Sequence, residues 1–323
     1  MYDPLKPYND LPTLPPRYDF DQVDLLKQVN LSNIALAALN AMATKLPNPW
    51  LLMRPLLVRE SVASSGIENI NTTVQEVFEA ELFPEFRKGP AKEVLRYKES
   101  MLEGVELVGT KELLTANDMI ALQAIIEPSK PGIRRVPGTK IVNAVTKKVL
   151  HTPPEGEARL RDLLSNLERY INVPDDGIDP LIKMAVFHYQ FEAIHPFLDG
   201  NGRVGRILMI LYLILSRRLQ FPVLYLSGFI EKHRTDYYRL LRHTTETGDF
   251  HDFILFMLKA VEEQARAPAA SVQEIEELMQ EAEAKVKGKL PNAHDVIMCA
   301  FDQPMLTIDY VQKRMGLSAR QTA

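Results

Sequence analysis

His195-Pro196-Phe197-Leu198-Asp199-Gly200-Asn201-Gly202-Arg203-Val204-Gly205-Arg206 gathers a base, a carboxylate, an amide, three glycines and two arginines into twelve residues. Pro196 breaks the helical pattern before it. Gly200 and Gly202 let the backbone turn so that successive N–H groups face one concavity. The spacing predicts a new helix from about Arg203, whose N-terminus adds unsatisfied N–H groups and a positive dipole end. The stretch reads as an anion cradle, most simply for phosphates. Arg203 and Arg206, three apart on the first turn, both reach one polyphosphate, and their guanidinium forks suit phosphate oxygens. The imidazole of His195 titrates near neutral pH and can accept a proton from an attacking hydroxyl. Asp199 is a candidate magnesium ligand, because magnesium prefers hard oxygens and sits between one or two carboxylates and substrate phosphates. Together these parts specify phosphoryl or nucleotidyl transfer.

Gly200 to Gly205 also satisfies the spacing of a dinucleotide-binding turn, but that turn needs a preceding strand and an acid about 20 positions on. Here a helical pattern precedes it and no acid occurs between Arg206 and Glu231. No GxxxxGK phosphate loop, HExxH or GxSxG is present, which removes the usual support for P-loop, zincin and serine-hydrolase chemistry. The 323 residues carry 38 Lys+Arg against 42 Asp+Glu, a net charge of −4 that argues against a basic nucleic-acid coat. The single cysteine, Cys299, excludes an intrachain disulfide and any zinc site with two or more thiolates. It fits a reducing compartment, and the cytoplasm is the expected location. The longest unbroken apolar run, Ile207 to Leu215, is far short of the roughly 20 residues of a membrane span. The N-terminal MYDPLKPYNDLPTLPP has no apolar segment for a secretory signal, so neither export nor a membrane is expected.

Outward from the motif the chain reads as mainly α. The first eighteen residues are proline-rich and read as an extended arm. From Phe20 to about Ile126 apolar residues recur every three or four positions, as in Leu31, Ile34, Ala35, Ala38, Leu39 and Met42. Residues 139–142 and 148–152 are β-capable runs around 143–147, and Pro153-Pro154 stops the second, which predicts a hairpin. Helical spacing resumes over 160–171 and 181–194, with Asp179 as N-cap and Pro180 at the first helical position. It continues over 203–218, 232–242 and 250–265, and the alternating charges of 271–289 predict an exposed connecting helix. The segment 292–323 carries two helical runs, 296–301 and 306–315, a turn at Gly316 and Ser318 as the next cap. It looks like the first part of a winged helix. Its charges cancel, which disfavours DNA, so a packing or partner-recognition module is expected.

Residues 195–206 match every specified position of HPFx(D/E)GNGRxGR, and in this the chain resembles the Fic family. The likeness extends over roughly Tyr8 to Ala265, with the proline-rich arm, the hairpin before the motif and the Tyr237-Tyr238 pair after it. The resemblance implies a Fic-type helical bundle whose hairpin, 139–152, is a flap. It also implies transfer of AMP from ATP to a Ser, Thr or Tyr hydroxyl of a target protein, with release of pyrophosphate. By the same resemblance His195 is the general base and Asp199 holds the Mg2+ that bridges the α- and β-phosphates. Backbone amides around Gly200, Asn201 and Gly202 line the phosphates, Arg203 contacts the inner ones, and Arg206 binds the γ-phosphate. Lys140, Ile141 and Val142 form the flap edge that holds a target segment by strand addition, which asks little of the target's sequence. Tyr237 or Tyr238 stacks on adenine or belongs to the core. Relatives transfer UMP, phosphate or phosphocholine with similar loops, and the complete GNGRxGR pattern favours AMP.

Ser64-Ser-Gly-Ile-Glu68-Asn69 matches the family's inhibitory pattern (S/T)xxxE(G/N). Lying before the catalytic motif, it implies the class with an N-terminal inhibitory helix, with Ser64 and Glu68 as its inhibitory residues. The logic is charge competition: a Glu68 carboxylate paired with Arg206 occupies the fork that a γ-phosphate needs. In relatives of this class the same glutamate positions water for removing AMP, so the reverse reaction is a second expectation. The implied division is 1–110, arm and inhibitory region; 111–266, catalytic core; 267–290, charged linker helix; and 291–323, partial winged-helix-like module. Expected partners are ATP, a protein target or the chain itself through Ser and Thr near Glu68, and a second copy in a homodimer. The runner-up, from another class, is a nucleotide-sensing transcription regulator with its C-terminal module on an operator. A base and a metal ligand beside a phosphate cradle speak against it.

Overall fold

In the computed structural model the described residues are 2–46, 49–142, 146–174, 176–286, 292–302 and 307–316. Among them the three- and four-residue spacings become α1 (Val23–Lys45), α2 (Trp50–Ile67), α3 (Val74–Leu82), a 3-10 turn (Pro84–Phe86), α4 (Gly89–Lys111) and α5 (Ala116–Ile126). A two-stranded antiparallel hairpin follows, β1 (Ile141–Val142) with β2 (Val149–His151). Then come α6 (Glu157–Asn172), α7 (Pro180–Ile194), α8 (Asn201–Leu215), α9 (Leu226–Lys232), α10 (Arg234–Thr247) and α11 (His251–Val286). Last are α12 (Ala293–Asp302) and α13 (Ile308–Met315). No described helix is long and apolar enough to cross a membrane.

Local signals set the ends. Thr73 and Thr115 each close a capping box, with Glu76 and Asp118 at the third helical position. Asp179 caps α7 through the Leu181 amide, with Pro180 next in line, as expected. Gly316 ends α13 in the left-handed region.

Packing follows from which helices lack a polar face. α7 and α8 bury nearly every side chain, and a helix apolar all round has to be enclosed. α8 is accordingly wrapped by α2, α4, α5 and α7, while α1 lies along α11. α4 meets α8 at Gly104, where a Cβ would stand 2.5 Å from Leu211 Cδ1. The proline-rich arm lies on this body as expected: Leu11 and Leu14 are buried, Tyr8 N–H donates to the Thr152 carbonyl, and Asn166 holds both polar groups of Leu14.

Three details differ from the spacing. α8 starts at Asn201, two residues before Arg203, because Gly200 takes the left-handed turn (φ 81°) that starts the helix there. α11 is one continuous helix across the start of the predicted connecting helix at Ser271. The ladder is shorter than the β-capable runs, and Lys140 precedes it. Residues 143–145 and Ser318 lie outside the described residues.

Candidate functional site

The C-terminus of α7 and the N-terminus of α8 are joined by six residues, and the predicted loop is built there. His195 ends α7 with φ 48° and ψ 59°, a conformation that costs a non-glycine residue about 1–2 kcal/mol. Phe197 is fully buried and anchors the loop. Asn201 uses its side chain to hold it: Oδ1 accepts from the Phe197 amide at 2.8 Å and Nδ2 donates to the Phe197 carbonyl at 2.9 Å. Gln123 of α5 adds a tie to the Asp199 carbonyl at 3.1 Å. Burial lowers the His195 imidazole to about 4, with Arg134 and His151 acting the same way and Glu68 against them. It is neutral at pH 7, although its edge still meets solvent.

Arg203 is 2% exposed, and its Nε and one terminal nitrogen are buried without a hydrogen-bond partner. Its carboxylate neighbours are distant: Asp199 at 3.4 Å, Glu93 at 3.8 Å and Glu127 at 3.9 Å. Buried guanidinium donors left open at a helix N-terminus suit an anion with several oxygens. Asp199 is half exposed and also faces Lys130 at 3.3 Å. Among the described residues no group of three His, Cys, Asp or Glu could hold a metal. The half-exposed Asp199 carboxylate, beside open arginine donors, fits a cation that takes most of its oxygens from phosphates and water, which is the habit of Mg2+.

The predicted Glu68–Arg206 pair is formed, with Arg206 donating to Glu68 Oε1 at 2.9 Å. The same carboxylate oxygen stands where a Cβ on Gly202 would be, so it fills the concavity over the first turn of α8. Arg206 also donates from Nε to the Ser64 hydroxyl at 2.7 Å and to the Ser64 carbonyl at 2.9 Å. Burial alone would lower the Arg206 guanidinium; the Glu68 carboxylate overrides this and raises it.

Sequence reasoning missed what lies behind this pair. Glu60 and Ser64 lie one turn apart on α2, and Glu68, its C-cap residue, follows at the same four-residue spacing. Glu60 is buried; its Oε1 accepts from the Tyr97 hydroxyl at 3.0 Å and from the Ser227 hydroxyl, and its Oε2 from the Ser227 amide at 2.9 Å. This fastens α2 to α4 and α9. Tyr97→Phe removes one donor from a buried carboxyl, and we expect it to lower the unfolding free energy in denaturant by about 1–3 kcal/mol; an unchanged midpoint would contradict that role. Glu192, one turn before His195, is pushed up to about 8 by burial, against the pull of Arg206. The helical pattern gave no hint of it, although an acid in so apolar a helix is itself a signal.

At the flap, Ile141 is half-buried and faces His151, Val142 is 45% exposed, and Lys140 is exposed. A groove of about 480 Å3, lined by Ile133, Val136 and Leu198 among others, opens beside the loop. The tyrosine pair divides: Tyr237 is core and hydrogen-bonds His188 at 2.8 Å, while Tyr238 is 38% exposed and lies under the Arg234 guanidinium at 5.8 Å. Arg234 also donates to the Asn69 side chain at 3.2 Å, which links Tyr238 to the end of α2.

A helical bundle that presents a histidine, a helix N-terminus with open arginine donors and a glutamate seated over it defines the class. Residues 26–106 match the description "Fic/DOC family N-terminal" and residues 113–213 match "Fic/DOC family", so together more than half of the chain is covered. The chain belongs to the Fic/DOC family. It is similar to "Protein adenylyltransferase Fic" of Drosophila ananassae and of Drosophila melanogaster, each 34% identical over 113 residues, which is 35% of this chain and 21% of the relative. The match thus spans about a fifth of the length of those curated relatives. Among solved structures it resembles a Fic family protein from Desulfovibrio desulfuricans G20 with TM-score 0.66, 23% identity, and coverage of 95% of this chain and 88% of that one. It also resembles residues 134–508 of Fic-1 from C. elegans, with TM-score 0.58, 19% identity and coverage of 79% and 74%. At these identities the two structures speak for the fold alone.

Proposed function

We propose that this protein transfers AMP from ATP to a hydroxyl side chain of a protein, and that Glu68 restrains it by occupying the nucleotide's anion seat. The observation that carries the reading is the Glu68–Arg206 pair over Gly202, because a carboxylate has the charge and shape to stand in for a phosphate oxygen there. The Drosophila relatives, named protein adenylyltransferases, support the same activity.

In this reading 111–266 is the catalytic core, 1–110 the arm and inhibitory region, 267–290 a linker and 291–323 a partner module. ATP lies over the first turn of α8, with its phosphates on the amides of Gly200, Asn201 and Gly202, the inner ones on the open donors of Arg203, and the γ-phosphate on Arg206 after Glu68 withdraws. Tyr238, the exposed member of its pair, flanks the base. Magnesium held by Asp199 would neutralise charge between the α- and β-phosphates. A target segment lies along Lys140, Ile141 and Val142 and brings its hydroxyl to His195. The hydroxyl oxygen bonds to the α-phosphorus as the bond to the bridging oxygen breaks; its proton passes to the neutral imidazole and pyrophosphate leaves. The target is another protein or this chain itself, and the lone Cys299 suits a reducing compartment such as the cytoplasm.

The test is to incubate Glu68→Gly with magnesium and ATP carrying its label at the α- or the γ-phosphate. AMP transfer predicts protein-bound label from the α position only. Label from the γ position alone would assign phosphate transfer instead.

A further inference from the structure

Arg134 is among the largest side chains that the fold encloses, at 2% exposure, and it belongs to no motif. It stands between flap and base. Its Nε donates to the His195 carbonyl at 2.8 Å, and a terminal nitrogen donates to the carbonyls of Pro154, just past β2, and of Ile194 at 3.4 Å. Its own main-chain N–H donates to the Pro196 carbonyl at 2.9 Å, and neighbouring Ile133 pairs with Phe197 in an antiparallel bridge. Among the described residues no carboxylate forms an ion pair with it. The charge is instead spread over main-chain oxygens, two of them at the end of α7 where the helix dipole is negative. The left-handed turn at His195 is therefore tied from outside its own helix, and by the same guanidinium that holds the exit of the flap.

We propose that Arg134 is a positioning residue for the transfer reaction, locking the main chain of His195 to the flap exit so that base and docked hydroxyl keep one geometry. The inference rests on the reading of His195 as base and of the hairpin as docking edge. Lysine is no substitute, since one ammonium cannot span three carbonyls as a planar fork does. The charged and titratable groups around His195 are Glu68 at the C-cap of α2, Arg134 itself, His151 from β2 and Glu192 one turn earlier on α7. Removing the Arg134 charge takes away one of the influences that keep the imidazole neutral.

The test adds Arg134→Gln or Arg134→Lys to Glu68→Gly and reads two quantities. One is kcat and KM of AMP labelling; the other is the NMR titration midpoint of the His195 ring, which needs no activity. Misplacing a base by about 1 Å costs on the order of 100-fold, so Arg134→Gln should lower kcat by about that factor while KM for ATP stays within about twofold. The His195 midpoint should rise toward its ordinary value of about 6.5. Arg134→Lys should restore the midpoint and little of kcat. Folded variants with kcat and midpoint both at the parent's values would overturn the proposal, as would a raised KM with unchanged kcat. Should the glutamine variant fail to fold, the lysine variant decides: kcat at the parent's level sinks the proposal and a deep loss supports it. If the parent itself labels nothing, the AMP reading is at fault, and the midpoint in Arg134→Gln alone decides for or against Arg134.

Discussion

We expect Glu68→Gly to raise AMP transfer roughly 10- to 150-fold over the unaltered chain, the range that follows from a charged hydrogen bond of about 1.5–3 kcal/mol. Two features make the effect large. The Glu68 carboxylate holds Arg206 at 2.9 Å, and it fills the space over Gly202 where the proposed reading seats a phosphate. Its removal therefore vacates a charge partner and a volume together. Arg206 is not set adrift, because Ser64 still holds its Nε and one terminal nitrogen, and Ser64 sits on a helix fastened through Glu60 to Tyr97 and Ser227. Glu68→Gln, which keeps the volume and loses the charge, should fall between the two. The rate of label incorporation in the three proteins checks this, and equal rates in all three would remove Glu68 from the account.

His195→Ala, made in the Glu68→Gly chain, should lower transfer by about 100- to 10,000-fold, the usual worth of a positioned general base. The pH dependence carries a second, independent signature. Burial brings the imidazole to about 4, and Glu68 is the charge that acts to raise it. With Glu68 gone that support is lost, so the free enzyme keeps a neutral base well below pH 6. The acid limb of kcat/KM, which reports the free enzyme, should then be nearly flat from pH 8 to pH 6. A solvent-exposed histidine of ordinary pKa would instead lose about half its activity near pH 6.5. A limb centred there in Glu68→Gly would mean that the titrating base is not the buried His195.

What the sequence made legible was local. The candidate anion cradle could be read because its parts fall within twelve residues, and the chemistry of helix termini and arginine forks needs no tertiary knowledge. Glu68 could be matched to Arg206, 138 positions away, only through a family pattern; periodicity carries no such information. The boundary at α8 was placed two residues late because the left-handed turn that starts the helix falls at Gly200, and helical spacing does not show which glycine of the loop takes it. Charge alternation near residue 271 suggested a separate element, yet exposure of one face does not end a helix, and α11 continues.

The residues that went unread share one property: each acts over a long separation and leaves no local pattern. Glu60 meets Ser227 at a distance of 167 positions and Tyr97 at 37. Arg134 meets His195 across 61. A lone acid in a mostly apolar helix was the available sign for Glu192, because burying a charge is costly unless something nearby receives it; Glu60, next to Arg59, gave no such sign.

The measurement that bears most directly on the central claim is incorporation of α-labelled ATP, with magnesium, into the unaltered chain, Glu68→Gly and Glu68→Gly with His195→Ala, run side by side. The account predicts faint label in the first, strong label in the second and loss of that label in the third. Label as strong in the unaltered chain as in Glu68→Gly, or undiminished after His195→Ala, would contradict a transferase that uses His195 and is held in check by Glu68.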